Sequence, residues 1–274
     1  VTCVKPFLRA PVVWGVRSGE ADLSRYDRLM RWIYTVEGRF ARFADGVIAN
    51  SEAGRRHAIA IGYSPDKIAV VPNGIDGTKF RPDAQKRAEI RAEWSVPESA
   101  KLIGIVARFD PMKDHETFLR AAAIVAAKSP EDVRFALIGT GEQPALAALA
   151  RALGIAERVR MVPLGRDIVA MHNALDVAVS SSYMFEGFSN AVSEAMACGT
   201  PAVVTDIGDS RLIVDDDRFV APPRNPELLA AAILRMLEAL PEKRATVRDR
   251  IVTEFSVEKL VERTEQLLLA HSRR

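Results

Sequence analysis

From Lys101 onward, short apolar runs rich in β-branched residues alternate with longer stretches whose apolar positions recur every three to four residues. The first pattern is that of strands and the second that of amphipathic helices, and their alternation predicts a parallel sheet with crossover helices. Strands are expected at residues 102–107, 133–138, 158–162, 176–180, 202–205 and 218–220. Helices fall between them, for example at 114–128, where Phe118, Leu119, Ala122, Ile124 and Val125 line one broad face. Runs such as LIGIVA and FALIG are apolar throughout. Such strands are buried on both faces, which a sheet covered by helices on each side provides. That is a doubly wound, Rossmann-like α/β domain.

Upstream lies a shorter α/β stretch, with strands expected at 12–16, 47–49 and 67–71, a helix from about 23 to 43 and another after Ser51. Two or three such strands do not make a stable sheet alone. The segment Pro72-Asn73-Gly74-Ile75-Asp76 carries turn chemistry, and Pro82 follows, so the boundary between units is set there. From Pro226 onward the pattern is amphipathic helix, with Leu260, Val261, Leu267 and Leu268 available for packing. The expected organisation is a smaller unit over 1–75, a large α/β domain over 76–250 and a final helical segment over 251–274.

With 48% apolar residues in 274, the chain buries a substantial core. Thirty-eight Lys and Arg oppose 36 Asp and Glu. The net charge of +2 gives no long-range field of the kind a nucleic-acid binder carries, so any anion site is local. Cys3 and Cys198 form no C-x-x-C pair, which excludes a cysteine-based zinc cluster and fits a reducing, cytoplasmic setting. No apolar run approaches the ~18 to 20 residues that span a bilayer. His57, His115, His172 and His271 stand at no metal-ligand spacing and read as structural or surface residues.

The chemistry concentrates at 180–206, SSSYMFEGFSNAVSEAMACGTPAVVTD, which reads as strand end, glycine-bearing loop, helix and next strand. Ligands of open α/β sheets bind at the carboxyl ends of strands, where this loop lies. If Glu186 and Glu194 share a helix they are separated by a rise of roughly 12 Å, enough to grip both ends of an extended ligand. That spacing alone also arises by chance. Unpaired amides at the helix start favour an anion beside Glu186 to Asn190. Gly187 permits close approach, and Ser189 and Asn190 are candidate caps or hydroxyl partners.

A second cluster, Arg108, Asp110 and Lys113, follows the first strand of the large domain. Singly, Arg108 and Lys113 read as solvated charges, but two cations at a strand's carboxyl end suit a pyrophosphate. The turn Gly139-Thr140-Gly141 lacks the third glycine of G-x-G-x-x-G and the ribose-binding acid downstream, which argues against a nicotinamide dehydrogenase. Gly139 is assigned a packing role beside a ligand phosphate or base.

EGFSNAVSEAMACGTP at 186–201 closely resembles family 4 retaining glycosyltransferases of the GT-B fold. So do NSEAGRRHAIAIGYSPDKIAVVPNGID at 50–76 and ARFDPMKDHETFLRA at 107–121. The three stretches keep the family's order and approximate spacing, from about residue 46 to the end. The resemblance implies two facing Rossmann-like domains, the C-terminal one binding a nucleoside diphosphate sugar and the N-terminal one a glycan or lipid-linked acceptor. It further implies that Glu194 binds the ribose, Glu186 the transferred sugar, and Arg108 with Lys113 the diphosphate. Amides of Gly187, Phe188, Ser189 and Asn190 complete the contacts. Transfer with retention of configuration, without metal, cofactor or protein nucleophile, is the implied reaction, in polysaccharide or glycolipid assembly.

The family's opening β-α-β units and their glycine-rich loop have no counterpart here, so 1–75 resembles only the last part of the acceptor domain, with the final helix near 257–269 returning to pack on it. Exposed apolar surface is then expected, to be covered by a partner. The 23–43 helix, with Tyr26, Leu29, Met30, Ile33, Phe40 and Phe43 among arginines, reads in one way as a membrane-surface element at the inner face of the membrane and in the favoured way as packed on its own domain. Three functions are carried forward: a glycosyltransferase, a non-catalytic nucleotide-sugar-binding fragment, and a sugar-nucleotide epimerase.

Overall fold

A computed structural model describes residues 10–17, 19, 27–141, 143–165 and 167–272. The large unit is built on six parallel strands, β4 (Lys101–Val106), β5 (Val133–Gly139), β6 (Val159–Pro163), β7 (Val177–Ser180), β8 (Ala202–Thr205) and β9 (Val220–Ala221), in the spatial order β6-β5-β4-β7-β8-β9. Helices α4 (His115–Lys128), α5 (Pro144–Ala152), α6 (Ile168–Ala174), α7 (Asn190–Ala197), α8 (Ser210–Val214) and α9 (Pro226–Glu254) follow these strands or connect them. Successive residues of β4 point to opposite faces. Leu102 joins a core with Ala136, Ile138 and Met196, whereas Ile103 and Ile105 join Phe118, Phe135 and Ile233. Both faces are therefore dry, as the unbroken apolar runs require.

Strand order reverses between β4 and β7, because the chain first moves outward through β5 and β6 and then returns to the other side of β4. Loops after β4 and β7 consequently part in opposite directions and leave a crevice between them. Five strand expectations agree with the structure to within a residue or so. The sixth differs. Asp216 caps a tight turn at Asp217–Phe219, which buries Phe219 and delays β9 to Val220–Ala221.

The smaller unit has three parallel strands, β1 (Val13–Val16), β2 (Gly46–Ala49) and β3 (Ile68–Val70), in that order, with α1 (Arg28–Ala41) and α2 (Glu52–Ala60) between them. Asp27 caps α1 by accepting from Met30 N, so this helix starts later than its apolar pattern suggests. Residues 23–26, Tyr26 among them, and Cys3 lie outside the described residues. Only a narrow side of α1 is covered: Gly38 and Ala41 are buried, while Leu29, Trp32, Ile33, Phe40 and Phe43 are 38–63% exposed. Packing of that helix on its own domain is thus incomplete, since its apolar residues occupy more than one side and the side at Gly38 is the one closed, by Ile61 at the end of α2.

After the linker and α3 (Ala84–Glu93), the two units are joined again at the end of the chain. Helix α9 continues unbroken through residue 250 to Glu254. Ile75 N donates to Phe255 O at 2.7 Å, and α10 (Val257–Ser272) then runs against the smaller unit, with Val257 and Leu260 beside Gly74 and His271 beside Gly46. No helix among the described residues is long and apolar enough to cross a membrane.

Candidate active site

Residues at the carboxyl ends of β4 and β7 and in the first turn of α7 line a cleft of about 230 Å³. From β4 come Ile105, Val106 and Ala107, from β7 Ala178, Val179 and Ser180, and from the loop and helix beyond it Ser182, Glu186 and Phe188 to Val192. Lys113 and His172 complete the wall.

Lys113 ends a short turn at Pro111–Lys113 that begins with Asp110 capping Met112 N. The next residue, Asp114, adopts a left-handed conformation (φ 48°) and caps α4 by accepting from Thr117 N. The strand-end loops are stitched together. Ser181 Oγ lies 2.8 Å from Lys113 O and 3.0 Å from Asp114 O, and Tyr183 N donates to Met112 O. Across this seam Lys113 Nζ meets Glu186 Oε2 at 2.5 Å, and Ser182 Oγ donates to the same oxygen at 2.9 Å. Phe185, immediately before Glu186, is also left-handed (φ 58°). Such backbone costs about 1–2 kcal/mol for a residue with a side chain and concentrates at functional sites. Here it flanks both members of the ion pair.

Helix α7 begins only at Asn190, so Glu186 belongs to the loop and not to a helix shared with Glu194. The amides of Asn190, Ala191 and Val192 have no partner within the helix, and they and the positive end of its dipole face the cleft wall. Ser189 makes no side-chain cap, which leaves that end open to an anion. Glu194 lies one turn into α7, with Oε2 at 3.3 Å from Nε2 of His172, a fully buried residue of α6 packed edge-on against Phe80. Phe188 anchors the loop from below against Phe255 (ring centroids 5.3 Å apart).

Lys113, Glu186, Phe188, Ser189 and Asn190 thus share one cleft, with Glu194 behind its wall beside His172 and Gly187 within the lining loop. Arg108 does not line it; that side chain is exposed just beyond β4. Gly139 is buried at the end of β5 outside the cleft, where an added Cβ would stand 2.4 Å from Ala107 O and 3.0 Å from the Phe109 ring. Its lack of a side chain lets the end of β4 and Phe109 close over it. Ser182 and the tie of His172 to Glu194 escape the sequence reading. His172 is tied to Glu194 across 22 positions of sequence, and no spacing rule links a helix before a strand to the helix after it. His115 is buried against Phe109, and burial, reinforced by the nearby Lys113 charge, pushes its pKa down to about 4. Among the described residues no group of three His, Cys, Asp or Glu is arranged to hold a metal ion.

Comparison with known proteins meets this geometry at both ends of the chain. The Glycosyltransferase Family 4 model matches residues 2–79, and the model for glycosyl transferases group 1 matches residues 86–253. D-inositol 3-phosphate glycosyltransferase of Kineococcus radiotolerans is 33% identical over 224 residues, covering 74% of this chain and 51% of that protein. The enzyme of the same name from Saccharomonospora viridis is 32% identical over 218 residues, covering 74% and 50%. The chain therefore spans about half the length of the curated relatives it matches. Among solved structures, Anabaena HepE in complex with UDP superposes with a TM-score of 0.87 at 23% identity, over 98% of this chain and 75% of that one. Sucrose-phosphate synthase from Thermosynechococcus elongatus superposes at 0.76 and 23%, over 98% and 65%. These likenesses establish the α/β GT-B fold, with parallel sheets of three and six strands. A doubly wound sheet opening at its switch point, matched over most of its length by the group 1 model, has one family reading: this chain belongs to the group 1 glycosyl transferases.

Proposed function

We propose that this chain forms the donor-binding half, with part of the acceptor side, of a cytoplasmic retaining glycosyltransferase that moves a sugar from a nucleoside diphosphate onto a glycan or lipid-linked acceptor. The observation that carries the reading is the convergence of Lys113, Glu186 and the open amino end of α7 in one cleft at the β4/β7 switch point. A cation and a helix end favour a diphosphate. A carboxylate bonded to Lys113 and Ser182 beside them suits sugar hydroxyls, and Glu194, oriented by His172, suits the ribose. As the bond from sugar to diphosphate breaks, negative charge grows on the departing phosphate, and Lys113 with the α7 amides stabilises it where it develops. Arg108, exposed just beyond β4, is assigned to the diphosphate only once a ligand is bound.

UDP is the first nucleotide to test, since solved HepE structures hold UDP and UDP-glucose. Thermal unfolding with UDP, GDP, ADP and their glucose conjugates checks the reading, because a ligand at 100 times its Kd adds about 2.7 kcal/mol. For a chain of this size that raises the midpoint by roughly 5–10 °C. A shift with one nucleoside diphosphate series supports the donor site; no shift with any of them removes it. Sugar transfer to an added acceptor, inositol phosphate included, then separates a transferase from a nucleotide-sugar-binding fragment, and conversion of donor without acceptor would mark an epimerase.

A further inference from the structure

Asp209 lies in the large unit, between β8 and α8, yet it completes a helix of the smaller one. Its carboxylate accepts from Glu52 N at 2.7 Å and from Ala53 N at 3.0 Å, the first two amides of α2. The third, Gly54 N, donates to the helix's own Ser51 Oγ, and Arg55 N begins the regular ladder to Ser51 O. Every orphan amide of that first turn is thereby satisfied, two of them from across the seam between the units. The carboxylate also sits at the positive end of the α2 dipole, and Asp209 is only 4% exposed, so water competes weakly for these bonds.

The same residue holds the cleft loop. Asp209 N donates to Gly187 O at 2.9 Å. Gly208, with φ +64°, packs so closely beneath the loop that an added Cβ would stand 2.4 Å from Glu186 O and 2.6 Å from Gly187 O. On the opposite side the loop meets the smaller unit directly: a Cβ on Gly187 would lie 3.0 Å from Ser51 Oγ and 3.1 Å from Asn50 Oδ1. A second, weaker tie runs from Asn73 Nδ2 to Asn190 Oδ1 at the first residue of α7.

We infer that Asp209 is a positioning residue: by capping α2 while bonding Gly187, it fixes the Glu186–Gly187 loop and the seating of the smaller unit as one event, so that donor binding and cleft closure are coupled through it. This rests on the donor-site reading above. Losing the carboxylate frees two amides of α2 and removes the buried bonds that tie the smaller unit to the segment bonded to Gly187 O, leaving across the seam the contact of Gly187 with Ser51 and Asn50 and the exposed Asn73–Asn190 bond, so the closed cleft is less populated. A nucleotide sugar, which touches the loop, then binds more weakly in proportion to that population.

Hydrogen exchange of the Glu52 and Ala53 amides, with and without UDP-glucose, tests the coupling in the intact chain, alongside calorimetric Kd values for UDP-glucose and kcat and KM where transfer is measurable. In the parent, UDP-glucose should slow exchange at these two amides. Asp209→Ala should speed their exchange at least tenfold, remove the response to UDP-glucose and raise its Kd and KM about tenfold, with kcat at saturation changed by less than threefold. Asp209→Asn keeps one acceptor oxygen and should fall between the two. It also serves if the alanine variant does not fold. A lower melting temperature with Kd, KM and the exchange response all within twofold of the parent would reduce Asp209 to a structural cap and overturn the inference. If the parent binds no nucleotide sugar, the donor-site reading fails. The ligand-free comparison of Glu52 and Ala53 exchange between parent and Asp209→Ala still judges the bridge, and unchanged exchange there sinks it.

Discussion

Replacing Glu186 with Gln should tighten binding of a bare nucleoside diphosphate while crippling sugar transfer. In the structure Lys113 Nζ is held 2.5 Å from Glu186 Oε2, with the two side chains only 24% and 10% exposed, so the pair is largely withdrawn from water. A diphosphate that recruits Lys113 has to compete with that carboxylate and also meets its repulsion. A hydrogen bond to a charged group contributes about 1.5–3 kcal/mol net. Glutamine keeps the volume and an acceptor for Ser182 but removes the charge. If the ligand recovers the lower end of that range, its affinity rises about tenfold, 1.4 kcal/mol corresponding to a factor of ten. For the sugar nucleotide the gain is offset by lost contacts to the sugar, so the ratio of the two Kd values shifts in favour of the bare diphosphate. Isothermal titration of parent, Glu186→Gln and Lys113→Met with the nucleoside diphosphate selected by the thermal assay, at low and high salt, measures this directly. Lys113→Met should weaken both ligands and flatten the salt dependence. If Glu186→Gln weakened the bare diphosphate as much as Lys113→Met does, Lys113 would not be the shared partner of carboxylate and phosphate.

Glu194→Ala should weaken every nucleotide the chain binds, and His172→Phe, which keeps the packing on Phe80 but not the bond to Glu194, should cost about fivefold by titration; equal affinity in both variants would remove Glu194 from the site. His115 has a folded pKa lowered to about 4, so native and unfolded chains are both neutral there above pH 6.5 and only the unfolded chain gains the proton below it. Stability should therefore fall on acidification through the 6.5-to-4 window, by about 2 kcal/mol at pH 5, and denaturant melts of His115→Gln should lack that increment. Asp176, 5% exposed, receives Arg87, Arg91, Arg244 and Leu102 N at the start of β7, opposite the cleft. Asp176→Asn should cost about 3–5 kcal/mol in urea melts by leaving guanidinium groups without their counterion, while folded protein keeps its nucleotide affinity; a loss under 1 kcal/mol would contradict the role given to the cluster.

The strands of the large sheet were legible because burial on both faces leaves no polar position to interrupt them, as in LIGIVA and FALIG. Ends were less legible. Asp27 sets the start of α1 and Asp216 displaces β9, each through a side-chain bond to the backbone that outweighs the local apolar pattern. Exposure of Leu29, Trp32 and Ile33 on α1 was not readable either, because an apolar pattern states what a helix offers for burial and not whether a neighbour is there to take it.

The site itself divides along the same line. Gly187, Ser189 and Asn190 lie within one loop and helix start, so sequence proximity delivered them together, and Glu186 came with them even though α7 begins after it. Lys113 reaches Glu186 from 73 residues away, and what joins them is that β4 and β7 are neighbours, a fact of strand order that no periodicity encodes. Asp209 is further removed, since its partners Glu52 and Ala53 stand 157 and 156 positions back in another unit. The bonds from Asp209 to α2 form only once both sheets exist, and substitution of Asp209 should disturb binding before it disturbs the fold of either unit. Asp176, whose bonds join α3 and α9 to the foot of β7 within the large unit, should show the reverse order, and the two variants side by side separate a contact that holds the domain from one that holds the site.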